Sequence, residues 1–256
     1  MKDHFDIDPS AGAVSRTAKL DRFDAAVMMF PSLTATDDYS PARKTPGPTV
    51  GWSQGWYRNW GKRALDVVLV VASLPITLPI VLICALVLWI EGGNPFYRQD
   101  RVGRNGKVFS ILKLRSMVRN ADAHLERVLQ GDAELRAEWD ETQKLKKDPR
   151  VTRVGAALRA TSLDELPQLW NVLTGEMSLV GPRPMMPDQL DLYGDPHDYF
   201  ALTPGLTGVW QVSARNESSF AYRATIDAAY RRSLSAREDV GLIVRTIGVV
   251  VRGTGY

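Results

Sequence analysis

A run without any charged residue extends from Val67 to Ile90, and it restricts the fold more than any other part of the chain. Its length of about 24 residues would span roughly 36 Å as a straight helix, which is enough to cross a bilayer. A fully buried core helix is the less favoured interpretation, because few soluble helices are apolar on every face over such a length. The run therefore predicts a membrane-embedded helix.

Two prolines, Pro75 and Pro79, argue against a straight crossing. Neither can donate a hydrogen bond to the carbonyl four residues before it, so the helix should bend there, with the hydroxyls of Ser73 and Thr77 available to the freed groups. Basic residues flank the run on both sides: Arg58, Lys62 and Arg63 before it, and Arg98, Arg101, Arg104 and Lys107 after it. Because basic clusters resist translocation, we favour a re-entrant helix–break–helix with both flanks cytoplasmic over a single span.

The segment before the run divides into two parts. Residues 1–51 carry acids throughout and end in a stretch rich in Pro, Gly, Ser and Thr, so they predict a disordered tail and do not resemble a secretory signal. Trp52, Trp56 and Trp60 then recur every fourth residue beside cations, which indicates a helix at a membrane interface or, alternatively, a Trp stripe packed on a core. We therefore divide the chain into a tail (1–51), interfacial and re-entrant helices (52–92) and a cytoplasmic domain (93–256).

Composition narrows the candidate partners and cofactors. The net charge of +3 is only mildly basic, which fits a phosphate-rich ligand or an anionic membrane, and we expect no nucleic-acid partner. One cysteine, Cys84, excludes an intramolecular disulfide, and three scattered histidines give no zinc spacing. The chain is long enough for a sizeable core, and the sequence leaves a homodimer open.

The region after the apolar run predicts an α+β domain of helices and short strands. Asn105-Gly106 between two strand-like runs is a strong hairpin signal, and Ser235 with Glu238 has capping-box spacing. The predicted elements are strands at Pro95–Gln99 and Lys107–Leu114, one amphipathic helix from Asn120 to about Leu145, a strand-like run at Leu206–Ser213, and helices at Ala221–Leu234 and Asp239–Arg252.

The stretch from Thr161 to Pro184 holds the residues most typical of chemistry. Asp164 and Glu165 fall near a predicted helix start, where either Ser162 in a capping box or Asp164 itself is the expected cap. First-turn acids can be simple caps, but they also suit the positive end of a helix, which attracts phosphate. Shortly afterwards, Gly181-Pro182-Arg183-Pro184 places one arginine between two fixed φ angles, a way to hold a guanidinium fork for phosphate.

Several motifs follow one another along the chain: Lys62-Arg63 before Asp66, Gln99-Asp100-Arg101-Val102-Gly103, Lys113-Leu114-Arg115-Ser116-Met117, Asp148-Pro149-Arg150-Val151-Thr152, Ser162 to Gln168, Gly181 to Pro184, and Pro204-Gly205-Leu206-Thr207-Gly208. This order resembles that of the bacterial sugar transferases, the monotopic polyprenyl-phosphate phosphoglycosyl transferases that start exopolysaccharide repeat units. The chain resembles this family over roughly residues 60–256. One departure is Leu78-Pro79 where the family usually carries Ser-Pro at the helix break.

The resemblance implies the reaction and the residues that perform it. Asp164 would be the nucleophile and a Mg²⁺ ligand, with Glu165 beside it as a second catalytic carboxylate. The implied substrate-binding residues are Arg159, Arg183, Arg215, Lys113 and Arg115.

The reaction that the resemblance implies takes place at a membrane. A hexose 1-phosphate, galactose or glucose, would pass from a UDP-sugar to undecaprenyl phosphate, with UMP released at the cytoplasmic face of the inner membrane. Two alternatives stay open: a hexosamine-1-phosphate transferase of the same family, and a non-catalytic membrane adaptor of polysaccharide assembly.

Overall fold

The computed structural model describes residues 55–142, 145, 147–213 and 220–251. The predicted tail at residues 1–51, the predicted interfacial role of Trp52 and the predicted ligand Arg215 lie outside these ranges. The described chain is mostly helical and contains four short strands in two two-stranded sheets. This content agrees with the predicted α+β class.

One long apolar helix precedes the rest of the described chain. A π-helical turn, Tyr57–Gly61, leads directly into α1, Lys62–Gly92. Within the described ranges it is the one helix that is long and apolar enough to cross a membrane. The backbone stays helical through Pro75 and Pro79. The helix–break–helix form is therefore still a prediction.

The hydroxyl groups near the two prolines bond to different carbonyls from those expected. Ser73 Oγ donates to the Val70 carbonyl at 2.8 Å, and Thr77 Oγ1 donates to the Ser73 carbonyl at 3.0 Å. The carbonyls that the prolines cannot serve are those of Val71 and Pro75. The hydroxyls thus bond within the preceding turn and do not reach the freed carbonyls, which corrects the prediction.

Exposure of the aromatic residues before α1 decides between the two interpretations of the Trp stripe. Trp56 and Trp60 are 66% and 73% exposed. The alternative that these two rings pack on the domain core is therefore wrong, and both rings lie at the surface.

The predicted β-hairpin is confirmed and follows α1. Strand β1, Phe96–Val102, pairs antiparallel with β2, Val108–Leu114. Asn105 and Gly106 both adopt positive φ, at 59° and 73°, which is the left-handed backbone that an Asn-Gly turn supplies.

The region predicted as one helix from Asn120 to about Leu145 consists of two helices, α2 at Ala121–Gly131 and α3 at Ala133–Thr142. Asp132 between them is extended, with φ −142°. Its carboxylate accepts hydrogen bonds from the backbone N–H groups of Glu134 and Leu135 at 2.9 and 3.1 Å. The single-helix prediction was wrong because Asp132 begins a new helix as its N-cap.

The middle of the domain continues with short elements. They are α4 (Arg153–Ala160), a 3₁₀ turn (Leu163–Gln168), α5 (Leu169–Thr174), β3 (Ser178–Val180), α6 (Leu190–Tyr193), α7 (His197–Phe200), β4 (Gly205–Thr207) and α8 (Val209–Ser213). β3 and β4 pair in parallel. The strand predicted from Leu206 to Ser213 is therefore largely wrong, because the chain turns after Thr207 and the Gly208 carbonyl accepts the first helical bonds of α8.

Two longer helices end the described chain, α9 at Phe220–Ser233 and α10 at Ala236–Val251. Both were predicted, although α10 begins three residues before Asp239. Ser235 Oγ accepts a hydrogen bond from the Glu238 N–H at 3.3 Å, which confirms Ser235 as the cap.

Both ends of α1 pack against this domain. Near its start, Val70 is buried, and near its end, Leu88 is buried, whereas no residue from Val71 to Ile83 is. The two contact clusters are Val70 with Ile111, Val172 and Met177, and Leu88 with Leu114 and Leu158. The domain thus contacts α1 at two separate places and leaves its middle uncovered.

Candidate active site

Asp164 and Glu165, which we call the acidic pair, lie in the 3₁₀ turn that leads into α5. Ser162, the residue before this turn, has left-handed backbone with φ 56°, and its side chain makes no capping hydrogen bond. Asp164 is the second residue of the turn and does not cap it either. Both capping predictions are therefore wrong, and the interpretation of Asp164 as a simple N-cap loses its basis.

Asp164 is a buried carboxylate, with 8% of the residue exposed. Burial is the main cause that raises its pKa, and the neighbouring Glu165 raises it further, while Lys113 and Arg159 act in the opposite direction. Within the described ranges, Asp164 forms no ion pair. Its oxygens are thus held close to cations without being engaged by any of them, as a nucleophile requires.

Glu165 is bound by a lysine of the hairpin. Lys113 Nζ, near the end of β2, lies 2.8 Å from Glu165 Oε1, and both side chains are largely buried. This contact brings together a predicted catalytic residue and a predicted substrate-binding residue. The ion pair also holds the Glu165 carboxylate against the hairpin, where it is only partly exposed to solvent.

Arg159 reaches the same site from α4. Thr152 caps this helix by accepting a hydrogen bond from the Gly155 N–H at 2.9 Å. A side chain at Gly155 would collide with the Ser116 carbonyl, since a Cβ there would lie 2.0 Å from that oxygen. This close packing lets Arg159 Nε donate to Ser116 Oγ at 2.8 Å, and from there its charge acts on Asp164.

A buried asparagine fixes the acidic turn to the hairpin. Asn171 Oδ1 accepts a hydrogen bond from the Leu112 N–H at 3.0 Å, and Nδ2 donates to the Ser110 carbonyl at 2.9 Å and to Glu176 Oε2 at 2.8 Å. The Asn171 side-chain amide thus forms hydrogen bonds with the backbone of β2 at the edge of the sheet, in the way that a neighbouring strand would. Because Asn171 lies in α5, directly after the turn, it sets the position of the acidic pair relative to β2.

The turn that carries Arg183 depends on close contacts between backbone segments. Gly181 N–H donates to the Thr207 carbonyl, and Gly205 N–H donates to the Pro182 carbonyl, both at 2.8 Å. A Cβ on Gly205 or on Gly208 would approach the Gly181 backbone to 2.1 Å. Glycine is therefore required where these segments cross, and the crossing holds Arg183 in a fixed position.

Arg183 lies in a group of cations around an aromatic ring. Its guanidinium carbon is 5.7 Å from the centre of the Trp210 ring, and that of Arg223 is 5.5 Å from the same ring. Arg223, in α9, also donates through Nη2 to the Arg183 carbonyl. The structure therefore places the predicted ligand Arg183 beside a second arginine that the sequence did not single out.

A third arginine, Arg101, belongs to this group. Burial and the nearby Arg183 lower the pKa of Arg101 to about 10, whereas Glu165 acts to raise it. The sequence signal for Arg101 was present in the Gln99-to-Gly103 motif, but no role was assigned to it. Arg101 connects the group around Trp210 with the acidic pair.

The remaining predicted ligands lie elsewhere. Arg115 Nη2 donates to the Leu88 carbonyl at 3.0 Å, at the end of α1 rather than beside Asp164. Arg215 lies outside the described residues. Of the predicted site residues, the structure places Lys113 and Arg159 beside the acidic pair, groups Arg183 with Arg101 and Arg223, and gives Arg115 a contact with α1.

The predicted Mg²⁺ would be held at Asp164. Within the described ranges, no group of three or more His, Cys, Asp or Glu residues could hold a metal by protein ligands alone. Mg²⁺ is commonly bound through one or two carboxylates together with substrate phosphates. Asp164, a carboxylate without an ion pair, fits that mode of binding.

A buried polar network joins α1 to the end of the domain. Asp239, 1% exposed, accepts hydrogen bonds from Lys62 Nζ, Tyr57 Oη and Tyr230 Oη, each at 2.6 Å. Nearby, Arg63 donates to the carbonyls of two residues at the end of α5, with one of these bonds at 2.6 Å. Lys62 and Arg63, which we interpreted from the sequence as basic residues flanking a membrane helix, therefore also have partners in the domain.

Comparison with known proteins gives one family. Residues 57–253 match the family described as bacterial sugar transferase. A UDP-galactose-lipid carrier transferase of Erwinia amylovora is 51% identical over 68% of the chain, and an undecaprenyl-phosphate galactose phosphotransferase of Salmonella typhimurium is 48% identical over 64%. The chain spans only 38% and 35% of the length of these two relatives. The exopolysaccharide production protein ExoY of Rhizobium meliloti is 45% identical over 68% of the chain and 78% of its own length.

Proposed function

Because the chain belongs to the bacterial sugar transferase family, we propose that it transfers a hexose 1-phosphate from a UDP-sugar to undecaprenyl phosphate and releases UMP. One observation carries this proposal: Asp164 is buried, is not a helix cap and lies among cations without pairing with one. The names of the relatives support a lipid carrier as acceptor and exopolysaccharide production as the context.

In the first half of the reaction, an Asp164 oxygen attacks the β-phosphorus of the donor. A bond forms between that oxygen and phosphorus, and the bond from phosphorus to the oxygen bridging to the α-phosphate breaks. The electron pair stays on this oxygen, which departs as part of UMP. Lys113 keeps Glu165 in place, and the positive charges of Lys113 and Arg159 favour the ionised Asp164 that attacks.

In the second half, an oxygen of undecaprenyl phosphate attacks the same phosphorus. The bond between phosphorus and Asp164 breaks, the carboxylate is regenerated, and the sugar remains on a diphosphate attached to the lipid. Mg²⁺, held by Asp164 and substrate phosphates, would supply charge neutralisation for both phosphoryl groups. Splitting the transfer in two lets each substrate use the same carboxylate in turn.

The proposed sugar is galactose or glucose, and a hexosamine is the alternative within the same family. The names of two relatives favour galactose. A panel of radiolabelled UDP-sugars with undecaprenyl phosphate and purified protein distinguishes these donors. A non-catalytic adaptor would convert none of them and would have no use for an unpaired buried carboxylate.

We further propose that α1 enters the inner membrane from the cytoplasmic side and returns to it. Lys62 and Leu88 both contact the domain, although a straight helix would separate them by roughly 39 Å. A spanning helix would place these two contacts on opposite sides of the bilayer. Exposed apolar side chains between them, such as Ile76, Leu82 and Ile83, suit lipid contact.

The covalent intermediate is the direct test of the proposed function. Protein mixed with UDP-sugar alone should release UMP, and mass spectrometry should find a hexose phosphate on Asp164. Asp164→Asn should abolish both half-reactions, because an amide does not attack phosphorus. Glu165→Gln, the matched control for charge, should retain some labelling of Asp164. An unmodified Asp164 with kinetics that require both substrates bound at once would replace this mechanism with direct transfer.

A further inference from the structure

The first two turns of α1 contain a motif, Lys62-Arg63 with Asp66, to which the proposed reaction assigns no role. All three side chains bind the domain. Lys62 donates to Asp239 of α10 at 2.6 Å. The Asp66 carboxylate accepts a hydrogen bond from the N–H of Leu179 in β3 at 2.9 Å. Arg63 instead binds α5, and because this contact involves none of the other groups, it can be weakened separately.

Arg63 caps the carboxyl end of α5. The last carbonyl groups of a helix have no partner within it. Arg63 Nη1 donates to the Val172 carbonyl, and Arg63 Nη2 donates to the Leu173 carbonyl at 2.6 Å, so one planar guanidinium binds two consecutive residues. A Cβ on Gly175, the residue that ends α5 with φ 86°, would lie 3.8 Å from the guanidinium carbon. The positive charge thus lies over the negative end of the helix dipole.

The acidic turn and α5 are continuous, so the position of one determines the position of the other. The N–H of Leu169, the first residue of α5, still donates to the Leu166 and Pro167 carbonyls of the 3₁₀ turn. α5 has only six residues, so most of its backbone groups lie near an end, and its position depends on the side chains that bind it. A shift of its carboxyl end is therefore transmitted to Asp164.

α1 contacts α5 in two physically different ways. Val70, seven residues after Arg63 and so on a similar face of α1, packs against Val172 of α5. Apolar packing is not directional, so this contact keeps the two helices together but allows α5 to slide along α1. The two hydrogen bonds from Arg63 fix that sliding coordinate, because each requires its own carbonyl.

Arg63 acts on the acidic pair through the position of α5 and not through its charge. Burial is the main cause that raises the pKa of Asp164, and the charges that shift it belong to Lys113, Glu165 and Arg159. Arg63 is not among them. Its guanidinium is already bonded to two carbonyls, which a lipid phosphate would have to displace in order to bind it.

We propose that Arg63 is a positioning residue for the transfer reaction: by binding the carboxyl end of α5, it holds Asp164 in line with the phosphorus that it attacks. This inference rests on the proposed function. A small displacement is enough to matter, because a misplacement of about 1 Å at the reacting group can slow a reaction by about a hundredfold.

The test measures one turnover of the full chain in lipid nanodiscs with its UDP-sugar and no lipid acceptor. Each folded molecule then releases one UMP, so the amplitude counts folded molecules and the rate constant reports the geometry inside them. At saturating UDP-sugar, Arg63→Gln should lower this rate constant by about tenfold or more. The UDP-sugar concentration that gives half the maximal rate should stay nearly unchanged. A merely structural role would lower the amplitude and the melting temperature but not the rate constant, and that result would overturn the inference.

Two further variants distinguish positioning from a general need for positive charge beside the membrane helix. Arg63→Lys keeps the charge but loses the planar fork, so it should be nearly as slow as Arg63→Gln. Arg58→Gln is the matched control, because Arg58 lies in the same basic flank but is exposed, and it should release UMP at the normal rate. A normal rate in Arg63→Lys, or equal slowing by Arg58→Gln, would refute the inference.

Amide hydrogen exchange gives a readout that does not depend on transfer. Arg63→Gln should speed exchange in residues 163–174 and leave β1 and β2 as in the unmodified protein. Unchanged exchange in residues 163–168 would refute the inference whatever the activity, and faster exchange with a normal rate constant would also refute it. If the unmodified chain releases no UMP while exchange changes as expected, the proposed function fails and the coupling of Arg63 to the acidic pair is confirmed.

Discussion

Replacing Asp239 with Asn should destabilise the protein strongly, because it leaves Lys62 as an unpaired charge in a buried position. Lys62 and Asp239 lie 2.6 Å apart with side chains 11% and 1% exposed. Tyr57 and Tyr230 donate to the same carboxylate at 2.6 Å each. An asparagine keeps the shape but offers one acceptor oxygen and no negative charge to these three donors.

The expected loss follows from the burial of the pair. Removing one partner of a buried ion pair costs about 3–5 kcal/mol in the free energy of unfolding, since the other charge stays desolvated without compensation. For a domain of this size, each kcal/mol lowers the melting temperature by roughly 2–4 °C, so the expected decrease is about 6–20 °C. Adding Lys62→Met to Asp239→Asn should restore part of this loss, because no buried cation is then left unpaired.

Thermal unfolding in lipid nanodiscs, followed by intrinsic fluorescence, measures the effect. Asp140→Asn is the control, since it removes one partner of an exposed pair with Arg136 at 3.3 Å, with side chains 59% and 49% exposed. Such a surface pair contributes at most about 1 kcal/mol. If Asp239→Asn melts as close to the unmodified protein as this control does, the buried network does not hold α1 to the domain.

Three further outcomes follow from the structure. Lys113→Met removes a cation that lowers the pKa of Asp164, so this pKa should rise. In a plot of the rate of UMP release against pH, the fall on the acidic side should therefore move to higher pH. An unchanged pH profile would contradict the effect of Lys113 on Asp164. Asn171→Ala leaves two partly buried backbone groups of β2 without their partner and should cost about 1–3 kcal/mol in chemical denaturation. A negligible change would show that the turn is positioned by other contacts. Cysteines introduced near Arg58 and near Arg104 should both react only with a cytoplasmic reagent, and periplasmic labelling of either would replace the re-entrant helix with a span.

Local signals in the sequence predicted the elements that local interactions form. The apolar run gave a helix because nothing polar interrupts it, and Asn105-Gly106 gave the hairpin because both residues tolerate positive φ. Ser235 gave the cap of α10 for the same local reason. Similar spacing failed at Ser162, whose left-handed backbone turns its side chain away from the capping position.

Contacts between residues far apart in the chain could not be predicted from the sequence in this way. Lys62 was interpreted by its place beside an apolar run, while its partner Asp239 lies 177 residues later. The parallel pair β3 and β4 covers only three residues in each strand, too few for a periodic pattern. Arg223 looks like an ordinary surface cation until the fold brings it to Arg183. Arg101 lies in a recognisable motif, but the sequence carries no sign of which cations will lie beside it.

The strand β2 connects the membrane helix with the candidate active site. Ile111 of β2 packs in the cluster of Val70, Leu114 packs against Leu88, and Lys113 between them binds Glu165. The contacts that hold α1 therefore also determine where the acidic pair lies relative to α1 and, in the membrane arrangement that we propose, relative to the bilayer. An acceptor phosphate carried by a membrane lipid stays near the bilayer surface, whereas a nucleotide reaches the site from solution.

Loosening α1 should for this reason affect the two half-reactions unequally. Asp239→Asn, studied at a temperature where the variant remains folded, should release UMP from the UDP-sugar at nearly the normal rate but transfer the sugar phosphate to undecaprenyl phosphate in nanodiscs more slowly. The control Asp140→Asn should slow neither step. Equal slowing of both steps by Asp239→Asn would mean that the network shapes the acidic pair itself, and that the depth of the domain at the membrane does not limit access of the lipid.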